Sequence, residues 1–222
     1  MTPFELFHQL GLLVGLPIAI LACAGAVLVV VPRDWRAVLF GYGLLSVMLS
    51  FLLSRILPGE WALLQTITGG LVAVMIFLSA GQLRGVGPLG VNWQARWPQM
   101  ASLTSFRVIA AILTAVAYFV LHDRVKLPLV EPLFRDTLVW LVMFGVLGLA
   151  LHAEPMHAGL SLLIILGGLE LLLFTLTQSS TLVGLMMAWQ LLLGLAIAYL
   201  VLPRGLASLS TTSQADGAGS EQ

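Results

Sequence analysis

Charge is scarce in this chain. Only 9% of its 222 residues are charged, where soluble domains carry about 25%, and an ordinary water-soluble globule is thereby excluded. Ten basic residues balance ten acidic ones. No basic cluster exists that could follow a phosphate backbone, so nucleic acid is not an expected partner. Cysteine is limited to Cys23, which can form no internal disulfide and cannot hold a metal cluster alone. The four histidines, His8, His122, His152 and His157, are joined by no HExxH spacing, so no metal centre is expected. No nucleotide-binding glycine motif opens a helix, and neither a cofactor nor a catalytic centre is expected.

What the chain has is apolar length: 59% of it is hydrophobic. A bilayer core takes about 20 apolar residues as helix, because backbone groups without water must bond within their own segment. Leu10–Val31, Ala37–Ser54 and Trp61–Leu83 are three such runs, Phe106–Leu121 is a weaker fourth, and Thr137–Leu151 a fifth. From Ala158 to Pro203 the only charge is Glu170, and the run is long enough for two helices with a turn at Gln178, Ser179 and Ser180. These spans predict an all-α, polytopic integral membrane protein with seven transmembrane helices. The first run reads as a retained helix rather than a cleaved signal, since Glu5 and no Lys or Arg precedes it. Between Arg84 and Ser105, Trp93 and Trp97 flank Arg96, which suits a segment lying at the interface. Residues 205–222 have the composition of a disordered tail. With seven spans, Arg33, Arg36, Arg84, Arg96, Arg107 and Arg204 collect on one side and Arg55, Arg124, Lys126 and Arg135 on the other. That bias favours an external N-terminus and a cytoplasmic C-terminus in the cell inner membrane.

Polar groups inside such spans require a reason. An ionisable side chain at the bilayer centre costs roughly 2.5–3.5 kcal/mol on insertion scales. Glu170 is the only acid deep in a predicted span, and Gln190 lies equally far beyond the turn, so both occupy one level. Two readings stay open: a proton-relay carboxylate with Gln190 as its neighbour, or a neutral acid that pins two helices together. In the third helix Gln65, Thr66 and Thr68 precede Gly69 and Gly70, a pattern for close packing, for a polar path or for a local deformation such as a π-bulge. Gly41, Tyr42 and Gly43 read similarly, with Tyr42 a packed aromatic. His152, Glu154 and His157 cluster at a membrane edge, either as a solvated loop or as a point where protons enter.

Across Thr137–Arg204 the segments "LVWLVMFGVLGLAL", "LIILGGLELLLF" and "MAWQLLLGLAIAYLVLPR" resemble the three helices of the K-type membrane subunit of respiratory complex I. That family is related to subunits of cation/proton antiporters and membrane hydrogenases. The resemblance places Glu170 on the family's second-helix glutamate and Gln190 where its third-helix glutamate stands. His152 and His157 replace the basic pair of the preceding loop, and the last loop is shorter. "WRAVLFGYGLLSVMLSFLL" and "EWALLQTITGGLVAVMIFL" more faintly resemble the second and third helices of the J-type subunit. There Gln65 and Gly69 or Gly70 take the places of a polar residue and a glycine bulge, and Thr68 stands nearest the family's tyrosine.

The resemblance implies a J-like four-helix region over residues 1–122, a K-like three-helix region over 123–204, and other membrane subunits as partners. It further implies proton translocation through Glu170, gated near Gly69 and Gly70. A scaffold without transport and an independent small-solute transporter are the competing readings. The absence of an inverted repeat counts against the transporter.

Overall fold

Prolines mark where several helices begin. Pro58 precedes one, while Pro132 and Pro155 are the first residues of two others. Proline lacks the N–H that a first helical turn leaves unpaired, and its fixed φ suits that position. The computed structural model describes residues 15–32, 34–82, 104–122, 124, 130–152, 154–177 and 179–218. The start of the first predicted run, the interfacial segment with Trp93, Arg96 and Trp97, and Lys126 lie outside the described residues.

Among the described residues the protein is all-helical: α1 (Gly15–Val30), α2 (Trp35–Leu53), α3 (Gly59–Gln82), α4 (Thr104–Leu121), α5 (Pro132–Leu151), α6 (Pro155–Thr177) and α7 (Ser180–Ala218). Five helices, α2, α3, α5, α6 and residues 181–201 of α7, are long and apolar enough to cross a bilayer. The chain is a multi-pass membrane protein. Of the seven expected spans, five are shown; within the described residues Gly15–Val30 and Ser105–Leu121 are shorter apolar helices, each beginning at or next to where the description begins. α7 is helical to Ala218. Extending an established helix adds one bond per residue without a new nucleation cost.

In the spans, hydroxyls find partners without leaving their own helix. Ser50, Thr68, Ser79, Thr137 and Ser161 each donate to the carbonyl four residues earlier, at 2.8–2.9 Å. Lipid offers no alternative acceptor, so this back-bonding is how a polar side chain is tolerated there. The apolar core draws on all seven helices, α4 contributing only Ala111. α1 packs on α2 and α5, α3 on α2 and α7, and α6 on α5, α7 and α2. Helices of the first and second halves therefore interleave. α4 packs mainly on α5, where the Tyr118 ring meets Trp140 edge-on at 5.0 Å. Trp140 in turn stacks on Phe144 at 4.6 Å.

Contacts between helix ends show how α1, α2, α5 and α6 run relative to one another. Gly15, opening α1, lies against the Arg55 side chain after α2 and Leu133 at the start of α5, and Arg55 is 4.0 Å from Glu131. At the opposite end Val30, closing α1, meets Gly148 late in α5, beside Ser161 early in α6.

Gly69 is fixed by α2. A Cβ built there would overlap Ser46 Oγ and lie 2.7 Å from Ser46 Cβ, whereas one on Gly70 meets nothing within 4 Å. α3 runs as unbroken α-helix through both glycines. Gly69 therefore marks a close approach of two helices. Gly69→Ala is expected to destabilise the protein by about 1–3 kcal/mol, the usual cost of overpacking, and Gly70→Ala to leave its stability unchanged. Exchanging the two side chains, Ser46→Gly with Gly69→Ala, leaves the new methyl about 4.0 Å from the nearest Ser46 atom, Cα, and should restore most of the loss. Unfolding midpoints in detergent check all three.

Candidate functional site

Three helices converge on Glu170. Its side chain on α6 is fully buried, and the same level holds Gln65 of α3, 2% exposed, and Gln190 of α7, 4% exposed. Gln65 Nε2 donates to Glu170 Oε2 at 2.7 Å and to Gln190 Oε1 at 3.2 Å. The carboxylate and the α7 amide are thus joined through Gln65. A primary amide nitrogen has two hydrogens, which is why one side chain can serve acceptors on two different helices.

Two oxygens in this cluster remain unpaired: Glu170 Oε1 and Gln65 Oε1 are buried without a hydrogen-bond partner. Among the described residues no cationic side chain forms a salt bridge with Glu170. Beside the cluster lies a cavity of about 10 Å³, lined by Tyr42, Leu45, Ser46 and Leu49 of α2, Gln65, Leu163 of α6 and Gln190. Tyr42 and Ser46 bring hydroxyls that no other side chain engages. Sequence reading took Tyr42 for a packed aromatic and passed over Ser46. The available signal was the spacing of four from Tyr42 to Ser46 to Ser50, which draws one polar stripe down α2. Thr68, expected beside the path, donates to Leu64 O instead.

His152, Glu154 and His157 gather at the α5–α6 junction, apart from that site. The two rings are stacked, 4.7 Å between centroids and 8° from parallel, and both are buried. His152 Nδ1 is 3.0 Å from Gly148 O. A carbonyl only accepts, so that nitrogen carries the hydrogen and Nε2 is left as a buried acceptor without a partner. Glu154 Oε2 lies 3.0 Å from His157 Nδ1, a contact whose direction falls short of a hydrogen bond. Burial, with the His157 ring and Arg107 nearby, lowers the His152 pKa from 6.5 to about 4. The contact with His157 holds the Glu154 carboxyl below its ordinary value. From His157 to Glu170 is about 20 Å along α6, and the two residues face different sides of the helix.

Comparison of the chain with protein-family profiles, with curated proteins and with solved structures found no match.

Two outcomes follow from this geometry. A double-mutant cycle with Gln65→Leu and Glu170→Leu, read by unfolding in detergent, should give a coupling of about 0.6–1.7 kcal/mol, the range for polar contacts inside membrane proteins. Additive effects would mean that the 2.7 Å contact stabilises nothing. The second outcome concerns pH. A group whose folded pKa is depressed contributes stability that is present above its unfolded pKa and lost as pH falls through the folded value. Stability should therefore be full above pH 6.5 and fall toward pH 4 as His152 is forced to take a proton, with Glu154 adding to the loss at the acid end. His152→Asn should remove the upper part of that slope in a thermal-midpoint titration.

Proposed function

We propose that this chain is an integral membrane subunit of a complex I-like, hydrogenase-like or antiporter-like assembly, and that Glu170 carries protons through it. The observation that supports the reading is the unequal treatment of the carboxyl oxygens: Oε2 is held by Gln65, while Oε1 is buried without a partner. A side chain that only pins helices together gains by pairing both oxygens, since a buried unpaired acceptor costs about 1–3 kcal/mol. A side chain that takes up and releases a proton needs one oxygen unclaimed. Among the described residues no salt-bridge partner balances the carboxylate, so a proton is the available means of neutralising it in a low-dielectric setting.

The reading keeps seven crossings. It is supported by Arg55 lying near Glu131 and Val30 beside Gly148, contacts that an alternation of helix ends between two faces would bring about. α1 and α4 then traverse the layer with their neighbours despite their shorter apolar lengths. The chain lies in the cell inner membrane with its N-terminus outside and its C-terminus in the cytoplasm, which puts the histidine cluster on the cytoplasmic face. His152, Glu154 and His157 collect protons there. Gln190 acts as a neutral neighbour of the relay, because an amide cannot carry a proton as a carboxylate does. Other membrane subunits of the assembly complete the path, and the chain has no catalytic centre of its own.

Extraction from the native membrane in mild detergent, with mass spectrometry of what accompanies the chain, tests the subunit reading. Large antiporter-like membrane subunits are expected, and a chain that runs alone would sink it. Glu170→Gln, introduced into the native complex, is expected to abolish proton translocation while leaving assembly intact. Unchanged translocation would assign Glu170 to scaffolding, and weakened binding of a cationic solute would assign the chain to transport.

A further inference from the structure

We propose that the cavity between α2, α3, α6 and α7 holds a single water molecule, bound by Gln65 Oε1 and by the hydroxyls of Tyr42 and Ser46. The cavity measures about 10 Å³, about one water-sized sphere, and such a site becomes hydrated when two to four polar groups face it. Tyr42, Ser46, Gln65 and Gln190 supply them. Gln65 is 2% exposed, and its Oε1 has no partner among the described residues. Its amide nitrogen is already committed to Glu170 and Gln190, so the oxygen, on the other branch of the same planar amide, requires a donor from elsewhere. A water in this cavity donates to that oxygen. The two hydroxyls, which both donate and accept, satisfy the rest of the water's bonds.

The water decides which way the Gln65 amide faces. Rotation by half a turn would exchange nitrogen for oxygen and present an acceptor to Glu170, which an ionised carboxylate cannot use. A donor held against Oε1 favours the observed orientation, with Nε2 on the carboxylate. Tyr42 and Ser46 are thereby positioning residues: they hold the water, the water orients Gln65, and Gln65 holds Glu170. Only the last link rests on the proton-carrying role of Glu170.

The test uses the full chain in lipid bilayers with glutamine side chains labelled by ¹⁵N, reading magnetisation transfer from water to each side-chain amide. The Gln65 signal is identified by its loss in Gln65→Leu. Transfer to Gln65 is expected in the unaltered chain despite its burial. It should vanish in Tyr42→Phe/Ser46→Ala, which removes both hydroxyls, and in Leu163→Phe, which fills the space and touches no polar group. The carboxyl infrared band of Glu170, identified by its loss in Glu170→Gln, should shift in Leu163→Phe. Absence of transfer in the unaltered chain, or its persistence in Leu163→Phe, would overturn the proposal. Transfer that behaves as expected beside proton flux indifferent to Glu170→Gln would leave the water site standing and remove the relay.

Discussion

One amide nitrogen organises the interior of this bundle. Gln65 Nε2 reaches acceptors on α6 and α7 at once, and it can do so only if three helices present the right faces at the same depth. Apolar packing alone sets such rotations loosely, because leucine-rich surfaces fit one another in many ways and lipid competes for them equally well. A buried carboxylate with one donor is less permissive. The close approach of α2 at Gly69, where Ser46 occupies the space that a side chain would take, brings the fourth wall of the site to the same level. Helix rotation, depth and cavity are consequences of a small number of polar contacts.

How much of this was legible in the sequence depended on what each residue's placement required. Glu170 stood out because a lone charge in a long apolar run needs no partner to be conspicuous. Gln190 was found by counting outward from the turn, since equal distance along two antiparallel helices means equal depth. Gln65 was seen as polar but not as the link, because a contact across 105 positions depends on how α3 rotates against α6, which spacing does not encode. Ser46 was hidden by the ordinary tolerance of serine in apolar helices. Hydropathy put three helix starts at Trp61, Thr137 and Ala158, a few residues after Pro58, Pro132 and Pro155, beside which the helices begin. Hydrophobic runs grade gradually into their flanks, and helices do not stop where hydropathy does.

Two polar centres of different character share α6. At one end a stacked histidine pair is tied to Gly148 and Glu154 in a polar junction. Further along, Glu170 is fully buried and held by the Gln65 amide. The intervening stretch carries Ser161, whose hydroxyl is committed to His157 O, and then apolar residues and glycine. No continuous chain of side-chain donors and acceptors runs down α6 between the two among the described residues. In the proposed relay, a proton passing between the histidines and the carboxyl must therefore leave the helix, toward α2 and α3.

The position of Glu170 along α6 also has an electrical consequence. It stands about 10 Å from the Thr177 end of the helix and about 22 Å from the Pro155 end. A charge crossing the whole membrane gains or loses about 2.3 kcal/mol per 100 mV. In the proposed relay, a proton reaching Glu170 from the Thr177 side would cross about a third of the field, and one leaving toward the histidines the rest. The carboxyl would then divide the membrane voltage unevenly, so its occupancy would respond to voltage from one side more strongly than from the other.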